Sequence, residues 1–123
     1  MIDLSKYGFK SGAEFRRTRN LPSSTFDEMI LDPNWKVRKQ VLHHVDCPRH
    51  VREIGRNSNI WYERAVAIMS KSAPHGYFDY AKTDPDPRVR RFYSGRLYYR
   101  SWKLQCLLVN LDVQWWEDEE GDV

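Results

Sequence analysis

Residues Asp32 to Leu42 read DPNWKVRKQVL, and 52 residues further along, Asp84 to Ser94 read DPDPRVRRFYS. Half of that separation is 26, so a repeat architecture requires a weaker copy midway, and NSNIWYERAVA at Asn57 to Ala67 supplies it. Aligned without gaps, the three copies place Asp32, Asn57 and Asp84 in the first column and Asn34, Asn59 and Asp86 in the third. Side-chain oxygens of these types accept from the orphan amides of a helix's first turn, while Pro33 and Pro87 suit an entry that needs no backbone donor. Each copy is therefore expected to open a helix, denoted B. Val37, Tyr62 and Val89 share one column, and Val41, Val66 and Tyr93 share another four residues on, which makes one buried helix face.

Upstream of each copy lies a shorter apolar-periodic segment: SSTFDEMIL, DCPRHVREIGR and SAPHGYFDYAK. Phe26, Val51 and Phe78 are in register there, with Met29, Ile54 and Ala81 three residues later. These predict short A helices capped by Ser24, Asp46 and Ser72, so that the unit is helix A, turn, helix B. Near the N-terminus, SGAEFRRTR at Ser11 to Arg19 reads as a B helix without its A partner. At the other end, Leu97, Ser101, Leu104, Leu108 and Leu111 fall at helical spacing and predict a longer closing helix.

The pattern Asp-Pro-x-x-x-Val-Arg, preceded by a short helix and recurring every 25 to 27 residues, resembles leucine-rich repeat variant units and the broader HEAT-like class over about residues 20–111. That resemblance implies an all-α fold: a short right-handed solenoid of about three helix-turn-helix repeats with partial capping units. Some leucine-rich repeat variant proteins hold an iron–sulfur cluster in a separate cysteine-rich segment. Only Cys47 and Cys106 occur here, so no cluster and no other cofactor is expected.

At 123 residues the chain is expected to form one domain over 1–111, followed by an acidic tail over 112–123. Hydrophobic residues at 41% argue for a folded chain. No apolar run approaches the roughly 20 residues that span a bilayer, and MIDLSKYGFK contains no hydrophobic signal segment, so a cytoplasmic protein without membrane contact is expected. Two cysteines form no disulfide framework and are expected as free thiols. The net charge of +3 conceals an asymmetry: residues 1–111 carry 20 Lys and Arg against 11 Asp and Glu, a net +9, and the tail carries six acids. A body of that charge attracts acidic proteins or phosphates at long range.

Directly after the buried valine column stand Arg16, Arg38, Glu63 and Arg90, and after them Arg17, Lys39, Arg64 and Arg91. In HEAT-like repeats an Arg in the first position often pairs with an Asp of a neighbouring turn, which implies pairs between Arg38 and Asp32 and between Arg90 and Asp84. The second column is basic in every copy. If B helices pack side by side, Arg17, Lys39, Arg64 and Arg91 form a row of cations, reinforced by Lys36 and Arg88. That row reads either as a solvated helix face or as a binding ridge. Trp35, Trp61, Tyr99 and Trp102 are candidate stacking surfaces or core.

His43, His44 and His50 lie near Cys47, but their spacing matches no established zinc site and Pro48 interrupts the helix, so no metal is expected. There is no Gly-rich phosphate loop, nucleophile elbow or paired-carboxylate motif, and no enzyme is expected. The HEAT-like alkylpurine DNA glycosylases set a catalytic precedent, yet nothing places their Trp and Asp pair in this chain. The tail, with Trp115 and Trp116 among its acids, reads as a solvated end, a cover for the basic ridge, or a docking segment. The functional expectation is a small adaptor or inhibitor, of bacterial or phage type, that binds a protein partner through the basic B-helix face. The alternative is a nucleic-acid-binding protein that uses the same face.

Overall fold

The computed structural model describes residues 2–70 and 72–94, the last four by backbone alone. All regular structure among them is helical: a 3₁₀ turn at Ser5–Tyr7, α1 Gly12–Arg17, α2 Ser23–Met29, α3 Trp35–His43, α4 Arg49–Arg56, α5 Trp61–Met69, a 3₁₀ segment Tyr77–Thr83, and α6 Pro87–Ser94. The expected closing helix and the acidic tail lie outside the described residues. No described helix is long and apolar enough to cross a membrane.

One turn opens α3, α5 and α6, which begin 26 residues apart at Trp35, Trp61 and Pro87. A side-chain oxygen accepts from the amide two residues on in each: Asp32 Oδ1 from Asn34 N at 2.8 Å, Ser58 Oγ from Ile60 N at 3.1 Å, and Asp84 Oδ1 from Asp86 N at 2.8 Å. Six residues after each of these, an arginine Nη1 donates back to the backbone carbonyl: Arg38 to Asp32 at 2.7 Å, Arg64 to Ser58 at 2.9 Å, and Arg90 to Asp84 at 2.6 Å. The turn column is thus Asp32, Ser58, Asp84, one residue later in the middle copy than the sequence alignment placed it. Arg64 stands with Arg38 and Arg90, and Ala65 stands where Lys39 and Arg91 stand. Local side-chain capping decides this register, because Ser58 closes the loop as Asp does even though Asn57 resembles Asp more closely on paper.

The same shift applies to the A helices. Met29, Gly55 and Ala81 are the buried set, whereas Ile54, expected at that position, is 46% exposed. Gly55 has a reason to be glycine: a Cβ there would stand 2.8 Å from Leu42 Cδ2 and 3.1 Å from Ala67 Cβ, so α4 sits close against α3 and α5. The expected caps Ser24, Asp46 and Ser72 do not cap. Pro22 and Pro48 precede α2 and α4, and Gly76 at φ 92° precedes the 3₁₀ segment, without a side-chain cap in any case. The prolines hold extended backbone before the first turn and need no donor of their own.

Each helix packs on its neighbours in sequence: α1 and α2 on α3, α3 on α4 and α5, and α5 on α4, the 3₁₀ segment and α6. Phe15 lies at the N-terminal end of the core, with ring centroids 5.1 Å from Phe9 and 4.7 Å from His44. His44 is fully buried, its Nε2 lying 3.0 Å from the Phe15 carbonyl and 2.9 Å from that of Thr18, while its Nδ1 accepts from Asp46 N. These partners assign the proton to Nε2 and make this histidine a core residue. In the middle, α5 is buried nearly all round. Tyr62 and Val66 are inside as expected, but so are Glu63 and Ala67, the true counterparts of Val37 and Val41.

Ion pairs join successive units. Arg38 forks onto Glu63, Nε to Oε1 at 2.8 Å and Nη2 to Oε2 at 3.2 Å, and Arg64 forks onto Asp84 at 2.9 and 3.0 Å. The expected pairing of Arg38 with the Asp32 carboxylate and of Arg90 with that of Asp84 is replaced by bonds to those residues' carbonyls. The Asp32 carboxylate instead accepts from Tyr7 Oη at 2.6 Å and lies 2.9 Å from Lys6 Nζ, which ties the N-terminal turn to the first unit.

Burial pushes the Asp32 carboxyl up, but Tyr7, the Asn34 amide and Lys6 outweigh it and hold the group at about 2. Arg56 and then Tyr77 hold Glu53 at about 2 as well, against the opposing effect of burial. Both folded values lie below the ordinary carboxylate values, so their contribution to stability is complete above about pH 4.5 and is lost as pH falls toward 2. The unfolding midpoint should fall across that window. Tyr7→Phe should flatten the fall, and an identical acid profile in the variant would exclude the Tyr7–Asp32 bond as a source.

Candidate functional site

Four residues separate Gly12 from Arg16 on α1, and three and four separate Lys36 from Lys39 and Gln40 on α3, so each set shares one helix face. Packing of α1 on α3 brings the two faces together around a cleft of about 250 Å³ lined by Ile2, Gly12, Ala13, Arg16, Lys36, Lys39 and Gln40. Arg16 Nη1 donates to Gln40 Oε1, which aims the guanidinium. Lys39 is only 5% exposed and its Nζ lies 5.6 Å from the Trp35 ring centroid, so its stem packs on the indole while its side chain borders the cleft. Three cationic side chains thus meet, and the described lining contains no Asp or Glu.

The expected row of cations is distributed differently. Lys36 and Lys39 meet in the cleft, together with Arg16, which sequence reasoning had assigned to the other column. Arg17 is exposed on α1. Arg64 is held by Asp84, with side chains 12% and 6% exposed. Arg88 pairs with Asp86 at 3.0 Å and stacks 4.1 Å over the Trp61 ring. Arg91 lies in α6, and its side chain is outside the described set. Trp61 is buried and Trp35 half-buried, packed edge-on against Tyr62 with centroids 4.5 Å apart, so both belong to the core and its margin. Tyr99 and Trp102 lie outside the described residues. Gln40 and Arg16 were missed as site residues, although their spacing to Lys36 and Gly12 was visible.

A second groove of about 370 Å³ runs beside the α4–α5 turn, bordered by Arg56, Asn59, Arg64, Tyr80 and Asp84. Its cations are already engaged: Arg56 on Glu53 at 2.6 Å and over Tyr80 at 4.2 Å, and Arg64 on Asp84. Among the described residues no three His, Cys, Asp or Glu side chains gather as a metal site would require. His50 pairs with Asp27 at 2.5 Å, and burial pushes the Cys47 thiol up to about 11, which keeps it protonated and unreactive near neutrality. No family model, curated protein or solved structure matches the chain.

Proposed function

We propose that the chain is a non-catalytic helical-repeat protein, a short right-handed solenoid of units resembling the leucine-rich repeat variant and HEAT-like class, that acts as an adaptor or inhibitor by binding an acidic group of a protein partner. The observation that carries this reading is the convergence of Arg16, Lys36 and Lys39 on one cleft, while Arg38 and Arg64 are consumed in joining the units. Clustered cationic side chains provide the long-range attraction and the specificity of a charged contact.

Protein stands ahead of nucleic acid for two reasons. A phosphate backbone is followed by a continuous basic track, and Ala65 interrupts the track at the middle unit. Single strands also use aromatic platforms, and the described lining of the cleft contains no ring. The test is affinity purification of the tagged chain after nuclease treatment, beside an Arg16→Glu/Lys36→Glu variant shown by circular dichroism to remain helical. A stoichiometric protein partner retained by the native chain and lost by the variant is expected. A partner indifferent to the reversal, or binding to duplex or single strand with a slope of log affinity on log salt of about −3 to −4, would overturn the reading.

A further inference from the structure

Arg38, Arg56, Arg64 and Arg88 pair with carboxylates, those of Glu63, Glu53, Asp84 and Asp86. Two of them also lie against a ring, Arg56 at 4.2 Å over Tyr80 and Arg88 at 4.1 Å over Trp61. An acid takes the in-plane donors of such a guanidinium and an aromatic ring takes its face. Arg16, Arg17 and Arg19, at the C-terminal end of α1, form an exposed cluster with neither kind of partner among the described residues. Arg16 Nη1 donates to the Gln40 side chain, and Arg19 Nη1 donates to the Arg16 carbonyl at 2.5 Å and the Thr18 carbonyl at 3.4 Å. Neutral oxygens thus hold two of the three guanidinium groups in place and leave their charge uncompensated. Glu14, the one acid among residues 10–19, accepts from the Lys10 amide at 3.4 Å instead of pairing with an arginine.

Residues 112–123, outside the described set, read DVQWWEDEEGDV: six acids, no Lys or Arg, and two adjacent indoles. That segment carries both groups that the α1 arginines lack. α1 packs on α3, α3 on α5 and α5 on α6, so three helix-packing steps of roughly 8–10 Å lead from α1 to the end of the described chain. The 18 steps from Ser94 to Asp112 cover about 27 Å at the rise of an α-helix, and more when extended, which is enough to return to α1. Attachment to the same chain sets an effective concentration on the order of mM, above that of a second copy in dilute solution. We infer that segment 112–123 docks on the arginine cluster of α1 in its own molecule, with its carboxylates on Arg16, Arg17 and Arg19 and an indole on a guanidinium face. In its consequence the inference rests on the protein-binding reading above. Arg16 belongs to both surfaces, so an acidic partner must displace the chain's own acids, and the segment regulates the site.

The experiment compares the side-chain Nε–Hε resonances of Arg16, Arg17 and Arg19 in the full chain and in a full-length Glu117→Gln/Asp118→Asn/Glu119→Gln/Glu120→Gln variant, which leaves every described residue intact. Both chains are then titrated with a synthetic peptide of residues 112–123. At low ionic strength the three resonances should differ between the chains, independently of protein concentration, and the difference should fade near about 1 M salt, where the Debye length is about 3 Å. The peptide should shift the same resonances of the variant in a saturable manner and bind the native chain at least roughly tenfold more weakly, because its site is filled. Arg17→Gln, at an exposed residue, should weaken peptide binding to the tail-neutral chain by roughly threefold. Capture of the partner should be stronger for the tail-neutral chain, and unchanged capture would overturn the regulatory role. Identical arginine resonances in the two chains, or a peptide bound equally by both, would overturn the inference itself. A difference that disappears on dilution would overturn it in favour of docking on a second copy. If the resonances are identical while Arg16→Glu/Lys36→Glu abolishes partner capture, the docking inference fails and the protein-binding reading stands. If they differ while capture is indifferent to that reversal, the docked segment stands and the functional reading falls.

Discussion

Arg64→Ala is expected to lower the free energy of unfolding by about 3 kcal/mol, with a fall in Tm on the order of 10 °C. Arg64 lies between two of the units and forks onto Asp84 at 2.9 and 3.0 Å while a third donor reaches the Ser58 carbonyl at 2.9 Å. Truncation leaves the Asp84 carboxylate, 6% exposed, without its counter-charge. Removing one partner of such a pair costs more than the pair itself contributes, because the remaining charge can neither rehydrate nor find a substitute. Arg64→Lys should recover only part of the loss, since an ammonium cannot reproduce the planar fork. Lys6→Ala is the control. Its partner Asp32 is buried, but Lys6 itself is 61% exposed, and a change below about 1 kcal/mol is expected. Equal effects of the Arg64 and Lys6 substitutions in denaturant titrations would show that the pair between units is no stronger than a surface contact.

Arg52→Ala should be at least as damaging, by about 3–5 kcal/mol. Arg52 is 1% exposed and is the largest fully buried side chain among the described residues. Its Nη1 donates to the Ala67 carbonyl at 3.0 Å and to Ser70 Oγ at 2.9 Å, and its Nη2 donates to Ser72 Oγ at 2.8 Å. Ala67 lies in the last turn of α5, where carbonyls lack helical partners, so the guanidinium closes that helix end. Ser70 and Ser72 pass the network on to the Leu42 carbonyl at 3.3 and 3.2 Å, which links α4, α5 and α3. Burial lowers the pKa of this guanidinium, and its hydrogen bonds offset that cost of desolvation. Arg52→Met separates the contributions. The stem's packing is largely kept and the donors are lost, so about 2 kcal/mol of the deficit should remain. A methionine variant as stable as the native chain would mean that Arg52 acts by filling volume alone.

Arg64 and Arg52 also mark where sequence reading stopped short. In the alignment that paired Asn57 with Asp32, Arg64 fell into the surface column and became a binding candidate. Shifting the middle copy by one residue moves it into the structural column and puts Ala65 in its former place. The signal was present, since 26 divides the 52-residue separation evenly and Ser58 falls on that mark. Aligning Asn57 with Asp32 put cap-forming residues in both the first and third columns, yet only the loop closed by Ser58 decides the register. Arg52 gave no signal. A charged residue beside Val51 on a short helix reads as solvent-facing, and only the arrival of two serines and a helix end from 15 to 20 residues away makes its burial possible.

The site divides the same way. Lys36 and Lys39 were nominated from their charge and column, and they do border the cleft. Arg16 and Gln40 were not, because α1 was read only as a cap for the stack. Whether two basic helix faces oppose each other depends on the angle at which α1 crosses α3, which no periodicity records.

By itself, then, the sequence determined the all-helical class, the positions of the B-helix entries near Asp32 and Asp84, and a core built on Phe26, Val37, Val41, Val51 and Val89. These follow from local capping and 3.6-residue periodicity, interactions that act within a few residues along the chain. The tertiary structure alone decided which arginines are spent inside the fold and which cations are gathered around one cleft. Ion pairing and desolvation act between groups 20 or more residues apart, and their outcome is set only when packed helices bring carboxylates such as Glu63 and Asp84 to particular arginines.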